Sequence, residues 1–450
     1  MTTRRPAANR LAALVGGALL LPALAAAQTP ADSAAAAARG APATVTLAEA
    51  IRLAERTQPR VVQAQGGVRT AAARTRTATL GAYLPTVNAT ASGTNSNQGE
   101  TPTQPSFTGN SVSTGVSASI DLFTGFRRGA ESRAARASEN AAVASLVDAR
   151  YQQALATTNT FLDALAAQQL LRVREAAVWR AQEQLKVSVA KLQAGSATRS
   201  DSLRSTVTLG SARLQLVQTE TQLATAEANL GRLVGTDRRV GAADDSSYYL
   251  AAAIDTAALR AEVIEQSPQV RSATASLVAA NASERAARAA YWPSLTLGGN
   301  YGWSGSDGGR SGIDQDLFDL TSNRQVSLRL NWNLFNGFQR EQQIAVQSIN
   351  ADVAEAEAAD ARRAVQAGVT AALAQLQSAR TAVDISQTSV AAATEDLRVV
   401  QERYRLGAST IVDVLTSQEA LNQAEVDAVQ ARFDYLRAKA QLSALIGRQL

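Results

Sequence analysis

The feature that most constrains this 450-residue chain is that it is written twice. The run Leu122-Phe123-Thr124-Gly125-Phe126 returns as Leu334-Phe335-Asn336-Gly337-Phe338, 212 residues later. Gly195 and Gly407, Asp201 and Asp413, Leu203 and Leu415, and Leu233-Val234-Gly235 with Leu445-Ile446-Gly447 keep that offset. Upstream it falls to 208 between Pro85 and Pro293 and to 209 between Pro59 and Pro268. Loops absorb such slack. A period this long is not that of a solenoid; it marks a duplicated domain.

All ten prolines lie outside 127–234 and 339–446. Those two blocks are rich in Ala, Leu, Gln, Glu, Arg and Val, with apolar residues three and four apart, the spacing of helices. Each divides at one glycine, Gly195 or Gly407, into a first arm of 68 residues and a return arm of roughly 35. At about 1.5 Å per residue the first arm is about 100 Å long. Helices of that length without internal caps need lateral partners, so each block reads as a coiled-coil hairpin, with alanine in the seam allowing close approach.

Arg4, Arg5 and Arg10 precede an apolar run from Leu11 to Leu24, and Ala25-Ala26-Ala27 follows. This reads as a secretory signal peptide over 1–27, with a flexible Ala/Pro/Thr/Ser linker over 28–44. No later stretch approaches the ~20 apolar residues of a membrane-spanning helix. Histidine and cysteine are absent, which excludes disulfides, Cys/His metal sites and Ser–His–Asp or Cys–His catalysis. No cofactor or metal is expected, and no enzyme. The formal charge of +5 drops to about +2 without the leader, and arginines interleave with Glu and Asp; these are solvated helix faces rather than a nucleic-acid surface.

Twelve of the 20 aromatics fall in 83–126 and 291–338, where the pattern changes to period two. Val112, Thr114, Val116, Ala118, Ile120 and Leu122 alternate with Ser113, Gly115, Ser117, Ser119 and Asp121. Val326, Leu328, Leu330, Trp332 and Leu334 alternate with Ser327, Arg329, Asn331 and Asn333. Strands are therefore expected at about 85–93, 111–123, 294–303 and 324–335, with loops over 94–110 and 304–323. Two-faced strands of about ten residues flanked by aromatics are the unit of an outer-membrane barrel. Four cannot close in lipid, because an open edge leaves backbone groups unpaired. A dimer would supply eight strands and a trimer twelve; the small polar residues of one face suit the wider lumen of twelve.

The chain resembles the TolC-like outer-membrane efflux protein family over about 45–450. The resemblance rests on the duplicated helix–strand–strand–helix–helix order and on the turn Tyr404-Arg405-Leu406-Gly407-Ala408-Ser409-Thr410-Ile411-Val412-Asp413-Val414-Leu415, matched in the first copy by Ala194-Gly195-Ser196-Ala197-Thr198-Arg199-Ser200-Asp201. It implies a mainly α fold with a small membrane β part. The first repeat would run 45–235 with its hairpin at 127–234. A connector would follow at 236–252, and the second repeat at 253–450 with its hairpin at 339–446. It implies a homotrimer in outer-membrane lipid, with a twelve-stranded β-barrel and a periplasmic α-barrel. The partners implied are a periplasmic adaptor and an inner-membrane pump of RND, ABC or MFS type.

The resemblance also implies site residues. Tyr404, Asp413, Asp201 and Ser200 match the gate and lumen positions; Gly195, Ser196, Gly407, Ala408 and Ser409 match the adaptor-contacting tips. The family's gate arginine falls at Ser409 and a second lumen aspartate at Thr416, which leaves Arg405 or Arg199 to take the closing role. Read from the residues alone, Asp201 and Asp413 are also good helix caps. The implied function is an exit duct of a tripartite efflux or type I secretion system; the alternative is an adaptor or structural coiled-coil protein of the same system.

Overall fold

A computed structural model describes residues 43–99, 107–245, 264–307 and 320–448. The expected signal peptide, most of the linker and part of the connector lie outside these residues. The linker's last residues are an exception. Strand β1 (Ala43–Val45) pairs in parallel with β4 (Val240–Ala242), inside the expected connector. The composition of 28–44 hides this, because a three-residue strand carries no periodicity.

Helix α1 (Leu47–Thr57) is capped by Thr46, and α2 (Pro59–Thr79) begins on a proline, whose missing N–H costs nothing at a helix start. Strands β2 (Thr86–Gln98) and β3 (Phe107–Phe123) lead into helix α3 (Arg127–Gln193) and its return arm α4 (Arg199–Val234). After β4 the second copy repeats the order. It runs α5 (Pro268–Arg288), β5 (Ser294–Asp307), β6 (Thr321–Asn331), α6 (Gln339–Arg405) and α7 (Ile411–Ile446).

All four strands extend further than the patterning indicates at the end away from the helices. Pairs such as Thr94↔Ser111 and Ser111↔Ser306 carry the ladder through segments expected as loops. Polar cross-strand bonds hold that part: Asn95 Nδ2 donates to Asn110 Oδ1 at 2.5 Å, and the Ser96 hydroxyl donates to Gly109 O at 3.2 Å. Apolar alternation stops there although the strands do not. At its other end the fourth strand is a correction in the opposite direction. β6 ends at Asn331 rather than at 335, because its partner β5 starts at Ser294, directly after Pro293.

The sheet order is β2-β3-β5-β6, antiparallel throughout. Its register sorts the residues by face. Ala89, Val116, Tyr301 and Arg324 form one row, and Val87, Ala118, Gly299 and Val326 another, on the apolar face. Asn88, Ser117, Asn300 and Gln325 form a row on the polar face. Among the described residues nothing covers the apolar face: Val87, Leu328 and Leu330 are 64%, 63% and 67% exposed. An uncovered apolar face of this kind suits contact with lipid.

Below the strands the helices pack side by side. Near the sheet the order is α2–α3–α5–α6; further down, α4–α3–α7–α6. Buried positions of α6 run Ala351, Ala354, Ala358, Ala361, Val365, Val369, Ala372, Leu376, Ala379. Their mean spacing of 3.5 residues is the repeat of a left-handed coiled coil, and the alanines bring neighbouring helices close. Larger side chains gather where the β1–β4 strap crosses the helices: Phe161, Leu165, Leu230 and Phe433 are fully buried there with Val240 and Ala242. Among the described residues no helix is long and apolar enough to cross a membrane.

Each repeat turns from strand to helix at the same corner. Gly125-Phe126 and Gly337-Phe338 all have φ between 61° and 66°, a left-handed conformation that a phenylalanine adopts only under constraint. An arginine one turn in supplies part of that constraint. Arg128 lies 5.1 Å over the Tyr83 ring and donates to the Asp121 carbonyl. In the second copy Arg340 lies 4.1 Å over the Tyr291 ring and donates to Asn333 O at 3.1 Å.

Candidate functional site

The hairpin tips are built by the same rule in both copies. The sequence Gly-Ser-Ala-Thr, or Gly-Ala-Ser-Thr, ends the long helix with a left-handed glycine and starts the return helix with a threonine cap. Gly195 and Gly407 have φ of 72° and 76°. Thr198 accepts from Asp201 N at 3.3 Å while Asp201 Oδ2 accepts from Thr198 N at 2.9 Å. Thr410 and Asp413 repeat the pair at 3.3 and 2.8 Å. These reciprocal capping boxes satisfy two backbone donors each. Both aspartates are therefore caps.

Asp413 carries more. Its Oδ2 also accepts from the Ser409 and Thr410 hydroxyls, each at 2.8 Å. These donors, led by the Thr410 N–H and joined by the positive charge of Arg403, hold its carboxyl below the usual carboxylate range. Ser409 at the arginine position thus serves the cap of α7. Thr416, at the position of the second lumen aspartate, bonds locally to Val412 O at 2.9 Å. Arg405 pairs with Glu402 at 3.0 Å on the exposed surface, and Arg199 is exposed at the first residue of α4. The charge acting on Asp413 is Arg403, which sequence reasoning passed over.

Tyr404 is 6% exposed and packs in a cluster with Leu397, Ile411, Val414 and Leu421. Lys191 of the first hairpin reaches across to it: the ammonium sits 4.1 Å from the ring centre and donates to the Tyr404 carbonyl. The ring therefore receives a cation–π contact while its carbonyl, in the last turn of α6, receives a charged hydrogen bond. The Tyr404 hydroxyl is buried and makes no hydrogen bond of good geometry. Burial raises its pKa, the Asp201 charge adds to that, and Ser188 beside it pulls the other way. Ser188 is itself engaged, 2.9 Å from the Ser205 hydroxyl and donating to Gln184 O at 3.0 Å.

Higher up, a second tie joins the hairpins. Arg180 of α3 donates to Glu425 of α7 at 2.5 and 3.1 Å and to Asn422 at 2.7 Å. Both ionic partners are largely buried, with side-chain exposure of 15% and 23%. Sequence reasoning missed Lys191, Arg180 and Ser188. The one available signal was that Lys191 is among only three lysines in the chain.

Ser200 and Thr416 meet across an open groove between α4 and α7, floored by Leu203, Val207, Val412 and Leu415. The structure thus separates the named residues into three places: Tyr404 at the Lys191 contact with the Asp201 charge acting on it, Asp413 with Ser409 at the exposed cap of α7, and Ser200 in the groove. Gly195, Ser196, Gly407 and Ala408 are exposed at the apices, as is Leu406 at 83%.

Comparison with known proteins agrees with this construction. The pyoverdine export outer membrane protein OpmQ of Pseudomonas putida is 27% identical over 302 residues, covering 64% of this chain and 60% of that protein. The chain thus matches less than two thirds of that relative's length. Among solved structures, CusC superposes with a TM-score of 0.75 at 20% identity over 89% of this chain and 92% of that one. The Campylobacter jejuni outer membrane channel CmeC also gives 0.75, at 18% identity over 89% and 85%. These likenesses establish the fold, which is that of channels. The protein is an outer-membrane protein that extends into the periplasm. The sequence pattern of the outer membrane efflux protein family matches residues 50–236 and 259–448, one stretch per repeat, and the chain belongs to that family.

Proposed function

We propose that the chain is one third of a passive exit duct in a tripartite efflux or type I secretion system. The observation that supports this best is that both layers end in open flanks on the same two sides. The sheet has free edges at β2 and β6, and the helical layer ends at α2 and α4 on one side and at α6 on the other. Head-to-tail association would pair β6 with β2 and α6 with α2 and α4 of the next copy, and a ring leaves no edge. Three copies give twelve strands, with the polar face of Ser, Asn and Gly inward.

In this reading Tyr404, Asp413, Asp201 and Ser200 govern the periplasmic entrance, with Lys191 added to them. Gly195, Ser196, Gly407, Ala408 and Ser409 present the tips to an adaptor, which links the duct to an inner-membrane pump. Export of small molecules is the favoured cargo class, since the OpmQ relative is named for export of pyoverdine. The protein moves no electrons and breaks no bonds; energy comes from the pump.

The test joins two measurements. Detergent-extracted protein should migrate as a trimer that survives mild SDS, and in planar bilayers it should give discrete conductance steps. A folded monomer, or a trimer that never conducts, would reject the duct.

A further inference from the structure

Among the described side chains, the apolar face of the sheet carries an arginine that its patterning does not explain. Arg324 occupies the row of Ala89, Val116 and Tyr301, on the same face as Val326, Leu328 and Leu330. Its guanidinium lies 5.5 Å over the Tyr301 ring, and Tyr301 meets Trp303 edge-on at 4.6 Å. Arginine facing lipid is costly at the bilayer midplane and nearly free at its edge, so the position of Arg324 relative to the membrane decides its meaning.

The lower boundary is marked by the exposed rings of Trp292, Trp332, Phe335 and Phe338 around the strand–helix corners. Arg324 lies eight residues from Trp332. That is about 26 Å along a strand, or about 20 Å along the membrane normal at a tilt of about 40°. An outer-membrane barrel has an apolar band about 25 Å tall, and an arginine side chain can snorkel the remaining distance outward. Arg324 therefore sits at the outer rim, at the end of the sheet away from the helices. In the next row outward Thr114, Trp303 and Ser322 share the face, adding two hydroxyls to the cation and the two rings.

We propose that Arg324, with Tyr301, Trp303, Thr114 and Ser322, forms an outward-facing site for the phosphate of a glycolipid headgroup in the outer leaflet. The guanidinium matches a phosphate in charge and in fork geometry. The Tyr301 face pre-orients it, and the rings lie at the depth where acyl chains give way to headgroups. The site recurs once per copy around the barrel. It rests on the membrane placement of the strands and not on whether the duct conducts, so conductance and lipid binding fail independently.

The experiment is native mass spectrometry of the delipidated oligomer, titrated separately with diphosphorylated lipid A, dephosphorylated lipid A and phosphatidylglycerol. The native protein should prefer the phosphorylated glycolipid over its dephosphorylated form by roughly tenfold, the size of one lost charge-assisted hydrogen bond. Arg324→Ala should abolish that preference, Arg324→Lys should keep part of it, and Arg329→Ala, on the polar face, should leave it unchanged. Equal binding of both glycolipid forms by the native oligomer overturns the proposal without any variant. So does an Arg324→Ala oligomer that keeps the preference. Phosphatidylglycerol bound as tightly as the phosphorylated glycolipid, and lost in Arg324→Ala, overturns the assignment to the glycolipid.

Discussion

At residue 125 and again at residue 337 the chain turns from strand to helix through a left-handed glycine, yet the two glycines sit in different surroundings. A methyl group on Gly125 would fall 2.3 Å from the Trp292 Cβ, whereas one on Gly337 would meet nothing within 4 Å. The tips show the same division. Each carries a threonine–aspartate capping box. Only the second holds a buried tyrosine, and only the first supplies a lysine to clasp it. Local backbone requirements are thus met identically in the two copies, while lateral contacts have diverged. Conformation at a turn is decided by a few neighbouring residues. What a side chain touches depends on which helix lies beside it, and each copy has different neighbours.

Substitutions at paired positions can break this comparison. The largest difference should come from Gly125→Ala against Gly337→Ala. Within the protomer the cost at 337 is the left-handed backbone, about 1–2 kcal/mol. At 125 the overlap with Trp292 adds to it, for a total of about 3 kcal/mol or more. Thermal unfolding of the extracted oligomer should rank native, Gly337→Ala, Gly125→Ala in falling order. Equal losses would mean that the corner relaxes around Trp292, or that the next copy in the ring crowds Gly337 as Trp292 crowds Gly125.

Next is the clasp. Lys191→Met removes the cation from Tyr404 and should weaken tip closure by about 1 kcal/mol, a roughly fivefold rise in open fraction in bilayer recordings. Its positional twin, Arg403→Met, should change the open fraction less than about twofold, since exposed charge contacts are worth little. Tyr404→Phe should leave the open fraction unchanged, because the hydroxyl makes no well-formed bond while the ring and carbonyl that Lys191 engages remain. A rise in Tyr404→Phe equal to that of Lys191→Met would transfer the closing role to the hydroxyl.

The caps sharpen the symmetric half of the comparison. Thr198→Ala and Thr410→Ala should each cost about 1 kcal/mol. The second should cost slightly more, because Thr410 also donates its hydroxyl to Asp413. Urea unfolding of the two variants measures the difference.

The smallest effect is the pH dependence of one cap. The donors around Asp413 lower its folded pKa below the unfolded value. Its stabilisation is therefore complete above about pH 4 and is lost as pH falls through the lower folded value. The gap in thermal midpoint between native protein and Asp413→Asn should stay constant from pH 7 to 5 and narrow below pH 4. A gap that narrows above pH 5 would mean that neighbouring carboxylates override the cap.

Duplication, helix lengths and the two-faced strands were legible in the residues because each is a periodic or repeated signal. The repeated Gly-x-x-Thr-x-x-Asp turn of Gly195 to Asp201 and Gly407 to Asp413 announces its own conformation, since glycine and cap act within a few residues. The ends of the strands were less legible. Pairing continues through Asn95, Asn110 and Ser306 by backbone and polar bonds, where no hydrophobic surface calls for alternation. The short β1–β4 strap was invisible for the same reason.

The sequence by itself determined the helices, the tip turns, the middle of each membrane strand and which strand face is apolar, because those choices depend on spacing along the chain. Only the tertiary structure decided that Lys191 meets Tyr404, that Arg180 bridges to Glu425, and that Arg324 stands over Tyr301. Each of these contacts joins residues separated by tens to hundreds of positions. Their partners are selected by helix packing and strand register, and no local pattern records either.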